Sequence, residues 1–354
     1  MTTISSNYNV ASFNTYSARG GDDALDGIGE LADASGIIGF QETGDPGKHL
    51  DAGARVAGEM IEQGLNGYMG PPNGNPIFWQ RDRFDLLHAE TSTRNDFGAA
   101  GETRATNLVV LRDTETGTAL LVSNLHAETS NGNGERTRQF DDLETRADAL
   151  AGQFDIAARI DIGDHNQSLP DELYGDAAPD TVVGGGNHKT EPNQNLGAGG
   201  IDHIASKGLG DHATRDLGSE VRSPPDNGDF YRHQMLVSTI GVTAETLGNA
   251  LNALAPVHGD NGKGAVGYQD HNYGGKAWAF GFGTPESFGT GDGSKGVKHS
   301  DINDRISSVR VSDDAALTLH QDADGGGRSL RVDESLGNVG KDMNDRASSF
   351  AFHY

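Results

Sequence analysis

Eight short apolar runs punctuate the first 242 residues, and helical patterns fill the gaps between them. The runs are Tyr8–Phe13, Gly36–Phe40, Pro76–Trp79, Thr106–Arg112, Thr118–His126, Ile160–Gly163, Ile201–Ser206 and Met235–Val242. Their length suits strands rather than helices. Between them, Leu25, Ile28 and Leu31 share one helical face. Leu50, Ala57, Met60, Ile61 and Leu65 form a second apolar stripe. Phe140, Leu143, Ala147 and Leu150 form a third, framed by charges. Helices interleaved with many short strands predict a layered α/β domain. Residues 165–200 and 207–232 are rich in Gly, Pro and Asp and read as long loops, which in compact domains often carry function.

The texture changes further on. Thr243–Ala255 reads as one last helix, and Pro256–Gly275 as a linker rich in Gly, Asn and Asp. Beyond it helical periodicity disappears and a repeat takes over. Asn303-Asp304-Arg305-Ile306-Ser307-Ser308 returns as Asn344-Asp345-Arg346-Ala347-Ser348-Ser349. A two-fold repeat without helices suggests two four-stranded units. The expected organisation is therefore a domain over 1–245, a linker over 246–275 and a small domain over 276–354.

Composition narrows the chemistry. The chain has no cysteine, which excludes disulfides, thiolate metal sites and cysteine catalysis. No apolar run reaches the length needed for a membrane-spanning helix. The formal charge of -25 repels a phosphate backbone at long range, which argues against a basic protein that coats nucleic acid but leaves room for a nuclease that reverses the field locally with bound divalent cations. With 8 Lys against 19 Arg, the acidic surface suits a salty or calcium-rich setting. Met1–Ser6 is short and polar and carries no signal-peptide pattern. The expectation is secretion, with a leader missing from this sequence, or else a cytoplasmic protein.

Five apolar runs of the large domain begin or end on polar residues suited to metal-assisted phosphoester chemistry. They read Ser12-Phe13-Asn14, Gly39-Phe40-Gln41-Glu42-Thr43-Gly44, Asn124-Leu125-His126, Ile162-Gly163-Asp164-His165-Asn166 and Gly200-Ile201-Asp202-His203-Ile204. A single Asp or Asn after a strand is usually a turn former. Five such segments in one order resemble the endonuclease/exonuclease/phosphatase family over roughly residues 7–242. The Gln-Glu-Thr-Gly and Leu-His-Ala stretches also resemble the nuclease subunit of cytolethal distending toxins.

The resemblance implies an α/β four-layer sandwich, two packed sheets flanked by helices. It implies that Asn14 and Glu42 bind a divalent metal and that His126 hydrogen-bonds the scissile phosphate. Asp164 and Asn166, in the counterpart of a Gly-Asp-Phe-Asn motif whose phenylalanine is here His165, would position the attacking water. Asp202 would orient a C-terminal catalytic His. The family's closing Ser-Asp-His corresponds to Tyr231-Arg232-His233, ahead of Met235–Val242, which selects His233. Asp211-His212 is the alternative. Arg104 and Arg232 are further candidates for phosphate contact, with a solvated surface Arg the plain reading of Arg104.

The residue types make chemical sense on their own. Oxygen ligands from Glu42 and Asn14 favour Mg²⁺ or Mn²⁺ over zinc. A cation there would polarise a phosphoryl oxygen. His233 held by Asp202 would act as general base. His126 and Asn166 would stabilise charge growing on phosphoryl oxygens.

The repeated Asn-Asp-x-x-Ser-Ser resembles the calcium-binding signature of microbial βγ-crystallins over roughly residues 276–354. That implies an all-β Greek-key domain that binds Ca²⁺. The ligands would be Asn303, Asp304, Ser307 and Ser308 of one copy, and Asn344, Asp345, Ser348 and Ser349 of the other. A short loop of carboxamide, carboxylate and hydroxyl groups supplies the oxygen ligands that calcium takes. The plain alternative is a pair of turn-forming loops. The expected function is divalent-metal-dependent phosphodiester hydrolysis with DNA as the nucleic-acid substrate. Two alternatives stand beside it: a phosphatase or phospholipid phosphodiesterase acting on a small substrate, and a catalytically impaired calcium-dependent binding protein.

Overall fold

The computed structural model describes residues 7–15, 27–43, 52–70, 75–94, 104–128, 134–166, 181–185, 201–210, 212–216, 233, 235–242, 261–282, 304–322 and 325–354. All eight expected strands form. In chain order the elements of the large domain are β1 (Asn7–Asn14), α1 (Ile28–Asp33), β2 (Ile37–Gln41), α2 (Ala52–Glu62), β3 (Leu65–Tyr68), β4 (Ile77–Gln80), β5 (Phe84–Arg94), β6 (Arg104–Asp113) and β7 (Ala119–His126). Then follow α3 (Glu135–Phe154), β8 (Ala158–Asp164), β9 (Thr181–Gly185), β10 (Asp202–Lys207), β11 (His212–Asp216) and β12 (Leu236–Gly241). Strands β9 and β11 lie inside the two stretches expected to be loops, where their Gly and Asp content hid them. Leu65, counted in the α2 stripe, starts β3 instead. The helix expected over Thr243–Ala255 lies outside the described residues.

The strands form two six-stranded sheets, in the orders β11-β12-β1-β2-β4-β3 and β5-β6-β7-β8-β10-β9. Each contains one parallel pair, β1 with β2 and β7 with β8. The sheets face each other across a core that includes Val10, Ile37 and Trp79 from one and Val109, Val122 and Ile160 from the other. Helices α1 and α2 cover the outer face of the first sheet through Leu31, Val56 and Met60. Helix α3 covers the outer face of the second through Phe140, Leu143, Ala147 and Leu150, the residues its periodicity put on one face. The four layers are thus helix, sheet, sheet, helix. Leu143 is buried in that seam, so Leu143→Ala would cost about 2–5 kcal/mol and loosen α3.

The remaining strands are β13 (Gly264–Tyr268), β14 (Ala277–Gly281), β15 (Ser308–Val311), β16 (Ala316–His320), β17 (Ser329–Val332) and β18 (Ser349–His353). They form sheets of order β14-β13-β15 and β17-β16-β18, three strands each among the described residues where four were expected. Ala265, Phe280 and Val309 of one meet Leu317, Leu319 and Phe350 of the other in a shared core. Strand β13 sits within the stretch expected to be linker. It pairs with both β14 and β15, so that stretch contributes a central strand of its sheet.

The same stretch ties the small sheets to the large domain. Gly67 N donates to Gly262 O at 2.9 Å, and Asn261 accepts from Asn66 Nδ2 and Leu86 N. These bonds cover the β3 edge of the first sheet. An open edge is a pairing hazard, and the small sheets shield this one. Arg310 donates to Gly58 O and pairs with Glu59 and Glu62 on α2. Gly58 is required there, because a side chain would collide with the Tyr268 hydroxyl.

Candidate active site

The C-terminal ends of the parallel pairs point the same way. In the second sheet His126 at the end of β7 lies opposite Asp164 at the end of β8, and Asp164 lies opposite Asp202 at the start of β10. In the first sheet Asn14 lies opposite Gln41, with Glu42 the next residue. Ser12 pairs with Leu236, which brings the preceding His233 to the same end. Topology therefore gathers residues separated by more than two hundred positions.

The contacts are short. Asn14 Nδ2 donates to Glu42 Oε1 at 3.2 Å and to Asp164 Oδ2 at 2.9 Å. His126 Nε2 lies 3.7 Å from both Glu42 Oε1 and Asp164 Oδ2. His233 Nδ1 meets Asp202 Oδ1 at 3.0 Å and Oδ2 at 2.9 Å, and lies 3.9 Å from Asp164 Oδ2. The alternative His212 is placed elsewhere: its Nε2 meets Ser206 Oγ at 2.7 Å. Glu42 and Asn166 both have left-handed backbones, at φ 54 and φ 50, a conformation that costs more for Glu than for Asn. The Asn166 amide nitrogen, expected to face substrate, donates to Ala127 O at 2.8 Å and closes the loop after β7. Arg232, Asn303 and the Arg104 side chain lie outside the described parts. Arg104 itself opens β6, opposite Arg94.

Asp164 and Asp202 are only 2% and 1% exposed, so their charges are largely cut off from water. Burial, and then the Asp202 charge, raise the Asp164 carboxyl to about 7. Burial alone would lower the His233 imidazole. The Asp202 charge and hydrogen bond, with Asp164 and Glu42, overcome that and raise it to about 9. Three carboxylates crowd this one imidazole, and such a concentration of negative groups suits a cation. Among the described residues two groups could hold one: Glu42 with His126 and Asp164, and Asp164 with Asp202 and His233. Mostly oxygen donors favour a hard divalent ion.

Two supports were not apparent from sequence. Helix α3 grips the segment after β7: Gln139 Nε2 donates to His126 O, Gln139 Oε1 accepts from Glu128 N, and Arg136 Nε donates to Glu128 O. Beneath the site Gln41 and Asn124 join the two sheets. The third surprise is His165. It is fully buried, edge-on to Phe140 at 5.3 Å and tilted against His203 at 5.0 Å. Burial, and then His203, push it well below the usual imidazole range, so it packs as a neutral aromatic ring. That accounts for a histidine where the resembled motif has phenylalanine.

The repeat loops show internal symmetry. Ser307 Oγ donates to Asp345 Oδ1 at 3.4 Å, and Ser348 Oγ donates to Asp304 Oδ1 at 3.2 Å. Ser308 and Ser349 donate to Asp270 O and Asp322 O at equivalent positions. Asp304 and Asp345 share a left-handed backbone. Asn344 Oδ1 meets His271 Nε2 at 2.8 Å.

No protein-family model matches the chain, and no curated protein matches it. Solved structures do. An endonuclease/exonuclease/phosphatase family protein from Bacteroides thetaiotaomicron is 16% identical, with a TM-score of 0.48 over 67% of this chain and 98% of that one. Truncated Caenorhabditis elegans TDP2 is 17% identical, with a TM-score of 0.48 over 67% of this chain and 98% of that one. ANGEL2, a 2',3'-cyclic phosphatase, is 13% identical, with a TM-score of 0.49 over 68% of this chain and 97% of that one.

Proposed function

We propose that the chain is a divalent-metal-dependent phosphodiester hydrolase acting on DNA, with a calcium-binding βγ-crystallin-like module at its C-terminus. One observation carries the catalytic part: the His233–Asp202 pair faces the Glu42, Asp164 and His126 cluster across a span of only 3.9 Å. A base and a cation-binding carboxylate set that close are what attack on a phosphodiester requires. A Mg²⁺ or Mn²⁺ held by Glu42 and the Asn14 carbonyl oxygen would offset phosphate charge and polarise a phosphoryl oxygen.

The chain's own residues do the rest. Asp202 fixes the tautomer and direction of His233, leaving Nε2 to exchange a proton with water. Neutralising Glu42 and Asp164 would remove two of the charges that hold His233 at about 9, bringing it toward the range a general base needs. His126 is placed to donate to a phosphoryl oxygen. Secretion would suit the acidic, cysteine-free composition.

A plasmid-nicking assay with Mg²⁺, Mn²⁺ and EDTA tests this reading. Metal-dependent nicking supports it. Hydrolysis confined to small phosphoesters would replace DNA with a small substrate, as the net charge of -25 favours. No hydrolysis of either class would overturn the enzymatic reading.

A further inference from the structure

Asn124 lies on β7, two residues before His126, yet its side chain belongs to the opposite sheet. Its Nδ2 donates to Phe40 O and Pro76 O, each at 2.8 Å, and its Oδ1 accepts from Gln41 Nε2 at 2.7 Å. All three partners lie on or beside β2 and β4. Both amides are fully buried, where an unmade hydrogen bond is costly. The first sheet makes room for this crossing at Gly39. A methyl group there would come within 2.9 Å of Asn124 Cγ and 2.7 Å of an Ile162 methyl. One sheet thus carries the amide and the other the gap that receives it. The Asn124 partners Phe40 and Gln41 immediately precede Glu42, so the crossing sits between the two halves of the site.

We propose that Asn124 is a positioning residue that fixes the spacing of the two sheets beneath the site, and through it the approach of Glu42 on one sheet to His126 on the other. Asn124 touches neither group and acts through the backbone of Phe40 and Pro76 and the side chain of Gln41. Misplacing a site by a fraction of an ångström costs activity far more than it costs folding.

Removing the crossing from either side should give the same signature. Asn124→Leu deletes all three bonds at similar volume, and Gly39→Ala blocks the receiving gap. Asn124→Asp is the fallback if Gly39→Ala does not fold, since it keeps only the acceptor. Leu120→Ala, in the inter-sheet core at the far end of the same strand, is the control for stability loss alone. In EDTA, the His126 imidazole resonances should shift in the Asn124 and Gly39 variants and stay in place in Leu120→Ala. Mn²⁺ affinity by calorimetry should weaken roughly 10- to 100-fold in the first two, the usual effect of losing a group behind a ligand. The turnover arm rests on the proposed hydrolase reading: kcat should fall by a similar factor with KM within about twofold. Unshifted His126 resonances, or equal effects in Leu120→Ala, would overturn the proposal. A wild-type chain with no turnover would sink the hydrolase reading, while the resonance arm would still decide the role of Asn124.

Discussion

Both carboxylate oxygens of Asp202 lie within 3.0 Å of His233 Nδ1, although 31 residues separate the two in sequence. An imidazole held this way has one tautomer and one direction. If the pair acts as a unit, His233→Ala and Asp202→Ala should lower kcat by similar factors, and the double variant should be little worse than either. Multiplying losses in a plasmid-nicking series would show that the two act independently.

Glu42 lies where Asn14, His126 and the β2 turn meet. Its removal deletes one of few charged oxygens available to a cation. Glu42→Ala should lower turnover by about two orders of magnitude or more while circular dichroism stays unchanged. Mn²⁺ affinity should weaken in parallel. Near-wild-type turnover at ordinary metal concentrations would remove Glu42 from the site.

The layered fold was legible because apolar run length and helical period are local properties. The Phe140–Leu150 stripe alone gives the face of α3. Strands β9 and β11 were not legible, since each is five residues long inside a stretch rich in Gly, Pro and Asp and exists through pairing with β10 and β12. Strand β13 was missed for the same reason: Gly264 and Gly267 read as linker until β14 and β15 flank them. In the site, polar residues closing strands were visible as a series. What sequence could not show was support from behind. No pattern singled out Gln139, and Asn124 looked like a strand-end turn former, because the backbone groups and the Gln41 side chain that they bond come from other elements.

The raised carboxyl and imidazole set a pH dependence for the metal-free chain. Asp164 moves from 3.8 to about 7 on folding, and His233 from 6.5 to about 9. In both cases the folded chain keeps a proton that the unfolded chain has lost. The stabilisation is fully present below each ordinary value and is lost as pH rises through the folded one. In EDTA, the melting temperature should therefore fall between pH 6 and 9, and fall less in His233→Gln. Parallel curves for the two proteins would show that His233 gains no proton affinity on folding.

The two repeat loops bond to each other, Ser307 to Asp345 and Ser348 to Asp304, so each is half of a shared arrangement. An ion bound at one loop would draw on the order of the other, which favours both sites filling together. Each loop also anchors a strand connection, through Ser308 to Asp270 O and Ser349 to Asp322 O. Calcium bound only to the folded chain contributes about 2.7 kcal/mol when present at 100 times its dissociation constant. The full chain should melt at a higher temperature in millimolar calcium, and Ser307→Arg with Ser348→Arg should abolish that rise. If calcium serves stability alone, the double variant should keep Mg²⁺-dependent turnover below its melting temperature. A melting curve that ignores calcium would leave the repeats as turn-forming loops kept by the pairing of two β units. Loss of turnover without loss of stability would instead place calcium in the catalytic step and end this division of labour between the two domains.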